Sequence, residues 1–225
     1  MDTEYHYWIT GMLAYRAGFS EVDALTIAYA SEYVDENDVN YTIVQRRDKS
    51  KYRNYMSQTM KISKPKDSLM RIYPIFHFIP GDPAAVTARR RDGKMHLLNT
   101  TPNNENANAI IDAAFKAHED TRLYRIGIAS HSFVDTWAHQ NFIGWYDDFN
   151  ETDLKPLPAI GHAFAGHHPD WVNHLWVDNW WTARSATATA SSKPAKCCMR
   201  NIANTKRASA RPTCRTNGQN WKMIS

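Results

Sequence analysis

Ser130-His131-Ser132-Phe133-Val134-Asp135-Thr136-Trp137-Ala138-His139 lies inside the longest helical pattern of the chain. No proline interrupts the run between Pro102 and Pro156, and Leu123, Ile126, Ile128, Phe133, Val134 and Trp137 return at the spacing of a helix with one buried face. The pattern predicts a helix over about 120–142, preceded by another over about 103–118 that carries Ile110, Ile111, Ala114 and Phe115. His131, Asp135 and His139 stand at i, i+4 and i+8, one face drifting by about 40° per step. A single histidine there is ordinarily a core or surface residue with a hydrogen bond. Three ligand-type residues among apolar neighbours are harder to place, since each unpaired polar group costs on the order of a few kcal/mol, and a metal resolves that cost. The rise from His131 to His139 is about 12 Å, too long for both imidazoles to close on one ion at about 2.1 Å. Two ions, with Asp135 offering one carboxylate oxygen to each, meet the spacing.

Working outward, the first forty residues read as an αα-hairpin, roughly 4–17 and 21–37. Trp8, Met12 and Tyr15 share one apolar face, and Val22, Leu25, Ile27, Tyr29 and Val34 continue it in the second helix. Gly18 ends the first helix, Ser20 with Asp23 opens the second, and the acids from Asp35 to Asp38 close it. Residues 39–70 are polar and aperiodic and read as a long surface excursion. Ile72 to Pro80 is apolar around a lone His77, and its two prolines predict a buried extended segment. A loop over 144–158 leads to Gly161–Asp170 and an aromatic end at Trp171, Trp176, Trp180 and Trp181. The expected architecture is all-α: a multi-helix domain with long loops over residues 1–181, followed by a low-complexity tail, 182–225, whose composition reads as disordered.

Composition sharpens that division. The chain has 225 residues and a formal charge of +4, yet residues 182–225 hold nine Lys/Arg and no acid, leaving 18 basic and 23 acidic residues in 1–181. The net positive charge therefore belongs to the tail. All three cysteines also lie there, and all ten histidines lie in the body. Without cysteine the body has neither a disulfide framework nor a thiolate site, so any metal is held by His and carboxylate. The N-terminal residues carry Asp2, Glu4, His6 and Arg16 without an apolar core, which argues against a secretory signal and for a cytoplasmic location. No stretch is long and apolar enough for a membrane span.

Further ligand candidates sit at predicted element ends: His6, Asp35, His77, His162, His167, His168 and Asp170. Together with the central helix they suit two or three hard-to-borderline cations in a helical cleft. His96, His118 and His174 read as surface residues. Rival signatures are missing: the sequence has no H-E-x-x-H, no Glu-x-x-His, no His-Asp dipeptide, no G-x-S-x-G and no phosphate-binding glycine loop.

The order of these motifs, with Tyr5-His6-Tyr7, Ile27-Ala-Tyr-Ala-Ser-Glu-Tyr-Val-Asp35, Ser130–Phe142 and Ile160-Gly161-His162, resembles the zinc-dependent phospholipase C and single-strand nuclease superfamily, and still more an uncharacterised bacterial family allied to it. The resemblance covers about residues 3–181. It implies an all-helical trinuclear zinc phosphoesterase. Asp35, His77, His131 and Asp135 would hold one zinc, with Asp135 bridging to a second that His6 helps bind. His139, His162 and a downstream carboxylate would take a third. Two departures stand out. Five residues precede His6, where those enzymes use a free N-terminal amine. Gly166 occupies the place of an acid four residues after the last His, so Asp170, or else His167 or His168, must substitute.

The expected function is hydrolysis of a phosphoester by a metal-activated water, with Asp35 orienting that water or acting as base. Trp8, Phe78, Trp137 and Trp171 are candidates for a substrate wall, against a plain core role. The alternative is a helical metal-binding protein without catalysis. Nucleic acid enters only as a substrate, since the basic tail offers a single aromatic, Trp221.

Overall fold

The computed structural model describes residues 2–88, 90, 92–151, 159–172, 174 and 176. The chain enters through a π-helical turn, Glu4–Ile9, which runs directly into α1, Thr10–Arg16. Gly18, at φ +92°, closes that helix, and Ser20 Oγ accepts the Asp23 N–H at 3.1 Å to open α2, Glu21–Glu36. A two-stranded antiparallel hairpin follows, β1 Thr42–Val44 and β2 Lys51–Arg53, with Ile43 opposite Tyr52. Then come α3, Tyr73–Phe76, and the two long helices α4, Glu105–Phe115, and α5, Glu119–Ala138. Asn104 caps α4 by accepting from Ala107 N–H, and His118 caps α5 by accepting from Asp120 N–H.

α5 is the central element and packs against both α2 and α4. Its contact with α2 is unusually close at Gly127: a Cβ there would lie 2.4 Å from the Ile27 carbonyl oxygen and 2.7 Å from Ala30 Cβ. Ile126, Phe133, Val134 and Trp137 from α5 meet Ile27 and Ala24 from α2, Ile111 and Phe115 from α4, and Leu13 from α1 in one core. A buried side chain of this size contributes about 1.5–3 kcal/mol, so this layer fixes α5 firmly enough to aim its polar face.

The molecule is mostly helical, and several sequence expectations need correction. The 39–70 excursion contains the hairpin, whose six strand residues are all exposed, so no buried alternation marked it. Residues 73–76 form a helical turn rather than an extended segment, because Pro74 sits in its first turn, where a missing N–H costs nothing. α5 ends at Ala138, not near 142. Trp8, Met12, Tyr15, Val22, Leu25 and Tyr29 face solvent; the π-winding turns Tyr5 and His6 inward instead, and both are fully buried. Trp8 and Trp171 are therefore exposed rather than parts of a substrate wall, while Trp137 is in the core. The expectations for 182–225, Trp180 and Trp181 lie outside the described residues. Among the described residues no helix is long and apolar enough to cross a membrane.

Candidate metal centre

The eight candidate residues come from six places in the chain. His6 stands in the π-helical turn, Asp35 in the last turn of α2, His77 at the end of α3, His131 and Asp135 on the inner face of α5, and His139 at its C-terminal cap. His162 precedes the short 3-10 turn Ala163–Ala165, and Asp170 follows it. The fold brings all eight together as two adjoining groups, and His6, His77, His131, Asp135 and His139 are all buried.

Backbone carbonyls decide which nitrogen each imidazole presents. His131 Nδ1 donates to the Ser31 carbonyl (2.9 Å), His77 Nε2 to Ser57 (2.8 Å), His139 Nδ1 to His77 (2.7 Å) and His162 Nδ1 to Gly166 (2.8 Å). A carbonyl only accepts, so the bonded nitrogen carries the proton and the other turns a lone pair inward. Four rings are thus locked in the tautomer a cation requires.

The inner group has separations of the size a metal ion's ligands take. Asp35 Oδ1 is 3.7 Å from both His77 Nδ1 and His131 Nε2. Asp135 Oδ2 is 3.3 and 3.2 Å from the same atoms, which are 3.2 Å from each other. Four ligands at about 2.1 Å around one tetrahedral ion stand about 3.4 Å apart, in the middle of this range. A buried His/Asp group with these separations can hold a metal ion.

Each inner carboxylate also turns its second oxygen toward His6. His6 Nε2 is 3.2 Å from Asp135 Oδ1 and 3.9 Å from Asp35 Oδ2, and its ring stacks on His131 at 3.7 Å. Neither His6 nitrogen makes a hydrogen bond. Burial, reinforced by the neighbouring His131, lowers its pKa to about 3, so the ring is a neutral base with a free lone pair. This revises the bridging inferred from helix spacing. Asp135 spans the His77–His131 pair and His6, not His131 and His139, because the His77 carbonyl engages His139 Nδ1 and rotates the other nitrogen away.

That nitrogen belongs to the outer group. His139 Nε2 is 3.1 Å from Asp170 Oδ1, and His162 Nε2 is 3.5 Å from Asp170 Oδ2, with the two rings stacked at 4.7 Å. Of the three candidates, Asp170 is the one that joins His139 and His162, while His168 pairs with His174 and His167 is exposed. Burial opposes ionisation of Asp135 and Asp170, yet the facing imidazoles hold both well below the usual carboxylate range. Asp35 shifts the same way, with burial outweighed by His131, His6 and His77.

Both groups open on one cavity of about 460 Å³, within the range of small-molecule sites. Asp35, His77, His139, His162 and Asp170 line it, and Met60, Ile62, Phe78 and Ile160 supply apolar walls. Of the four aromatics weighed between a substrate wall and a plain core role, Phe78 alone is among these lining residues. Sequence reasoning missed Asp2, which forms a further group with His167 and Asp170, and the carbonyls of Ser31, Ser57, His77 and Gly166, which no side-chain pattern reveals. Gly166 at φ +57° was a signal of a kind, since that backbone region favours glycine.

No curated protein and no solved structure matches the chain. Residues 1–221 match a family described as a family of unknown function, DUF6765, and the chain belongs to that family.

Proposed function

We propose that this protein is a zinc-dependent phosphoesterase of the phospholipase C and single-strand nuclease kind. The observation that carries the reading is the set of four carbonyl-locked imidazoles whose lone pairs converge on shared carboxylates at ligand separations. A donor set this rich in imidazole nitrogen suits zinc better than calcium or magnesium, which take more oxygens. His77, His131, Asp35 and Asp135 hold one ion, His6 with the remaining oxygens of both aspartates a second, and His139, His162 and Asp170 a third. Bound zinc supplies Lewis acidity toward a phosphoryl oxygen and a more acidic water. The chain's own residues do the rest. Asp35, part-exposed on the cavity floor, would orient the attacking water by accepting a hydrogen bond from it. Met60, Ile62, Phe78 and Ile160 keep bulk water from the reacting phosphorus.

Metal content and hydrolysis, measured together, test this. The purified chain carries two or three zinc equivalents and cleaves a nitrophenyl phosphodiester, and chelation abolishes the cleavage. Asp135→Ala loses more than one equivalent because its carboxylate serves two positions. Asp35→Asn, at a part-exposed position that tolerates the amide, lowers turnover by at least 100-fold even if Asp135→Ala fails to fold. Full metal content with no hydrolysis of any phosphoester leaves the non-catalytic metal-binding alternative standing and removes the enzyme.

A further inference from the structure

Charge on the body is segregated to a degree that the metal centre does not need. Residues 46–66 hold eight Lys/Arg and one acid, Asp48, whereas the other 160 residues of 1–181 hold ten Lys/Arg against 22 acids. All eight cations are exposed, and among the described residues none of them is paired with a carboxylate. They sit on the β1–β2 hairpin and the strand of chain that leads from it. Exposed tyrosines are interleaved with them: Tyr41, Tyr52 and Tyr55 each present half or more of their surface to solvent. The root of this arm is tied down and forms part of the cavity wall. The Tyr73 hydroxyl donates to the Thr59 carbonyl and the Tyr146 hydroxyl to Ile62, while Gln58, Met60 and Ile62 line the cavity.

We propose that this arm is a docking surface for single-stranded nucleic acid, whose phosphates meet the Lys/Arg strip and whose bases stack on the tyrosines. A positive strip held out from an otherwise acidic body attracts a polyanion and repels little of its own chain. Interleaved aromatics add what a plain counter-ion surface would not need, a π-face for each unstacked base. A lipid surface fits less well. Ile43 and Val44 are adjacent in one strand and so point to opposite faces, and Val44 stands directly opposite Lys51. Neither face of the hairpin is continuously apolar. The docking itself stands apart from the hydrolase reading. That the docked strand is the substrate rests on that reading, because the arm's root delivers its end into the cavity.

The test uses the full metal-loaded chain and a fluorescein-labelled oligo(dT) with a phosphorothioate backbone, read by anisotropy across a salt series. Replacing Arg46, Lys49 and Lys51 together by Gln weakens binding at least tenfold at low salt and reduces the slope of log affinity against log salt by about 2, three contacts at about 0.7 each. Tyr52→Ala weakens binding at least fivefold with the slope unchanged. Both variants keep wild-type hydrolysis of a nitrophenyl phosphodiester. Unchanged oligonucleotide binding in both variants overturns the proposal and moves any affinity to the basic tail. Capture by phosphatidylserine vesicles without oligonucleotide binding overturns it in favour of lipid. If the arm variants lose the oligonucleotide while no form of the protein hydrolyses anything, the docking surface stands and the hydrolase reading falls.

Discussion

The two metal groups differ in what holds them. The inner group is mounted on α2 and α5 near their closest crossing, with His131 bonded across the crossing to Ser31 and His77 added from the end of α3. The outer group is mounted on the last residue before α5 frays and on a loop containing two glycines at positive φ, Gly161 and Gly166. Helices locked by core packing place side chains more tightly than loops do. The separations are alike in the two groups, 3.2–3.7 Å in the inner and 3.1 and 3.5 Å in the outer, so the difference lies in the mounts and in the number of ligands. The outer triad offers one carboxylate to two rings and leaves its fourth direction to the cavity. The inner site thus reads as the tighter and the outer as the more exchangeable.

The largest expected effect comes from prising the inner mount apart. Gly127→Val puts a side chain where α2 already stands 2.4 Å from a Cβ, and neither the Ile27 carbonyl nor the α2 backbone can yield cheaply. Unfolding in urea should show a loss of at least 1–3 kcal/mol. Metal analysis should show the inner ions leaving before the outer one, because separation of the helices stretches the Ser31–His131 bond. Retention of full inner occupancy at wild-type stability would mean the crossing does not set the site.

A smaller effect sharpens the same contrast from the other side. Asp170→Ala removes the carboxylate that joins His139 to His162, so one equivalent is lost and the inner ions stay. The fold should hardly suffer, since Asp170 is no part of the hydrophobic core around α5, which keeps its packing. Loss of all ions from this variant would show that the groups are one cooperative unit, joined through the His77 carbonyl that bonds His139.

How much of this was legible in the chain follows the same division. α4 and α5 were readable from apolar periodicity and α2 from periodicity together with its Ser20 cap, and His131, Asp135 and His139 followed from spacing on α5. His77 was readable as a candidate because a lone polar ring in an apolar stretch is conspicuous, and His6 because it stands at a predicted helix start. The hairpin was not, since all six of its strand residues are exposed and carry no alternation. Helix spacing alone points Asp135 toward His139, whereas the family resemblance puts His6 at its second oxygen; the carbonyl of His77 that turns His139 away is marked by no residue type. Trp8, Met12 and Tyr15 misled because an apolar helical stripe reads as a buried face, whereas these three and Val22, Leu25 and Tyr29 of the regular helix α2 all face solvent.

The smallest effect is read in the metal-free chain as a function of pH. His6, with its folded pKa at about 3 against an ordinary 6.5, takes up a proton far more readily when unfolded. Between those values the unfolded state binds the extra proton, so folding stability falls as pH drops from 6.5, by up to about 1.4 kcal/mol per unit. His162 is lowered by burial and acts in the same direction. His77 opposes them: burial disfavours its charge, but the Asp135 bond and the Asp35 carboxylate outweigh that and raise its pKa. Its contribution is fully present below 6.5 and disappears as pH rises through the raised value. Urea unfolding after EDTA treatment should therefore show stability highest near pH 6.5, declining on the acid side through His6 and His162 and on the alkaline side through His77. His6→Asn should flatten only the acid limb. An acid limb unchanged in His6→Asn would mean that His6 is already protonated in the folded, metal-free chain, and the inner carboxylates would then need no second cation to balance them.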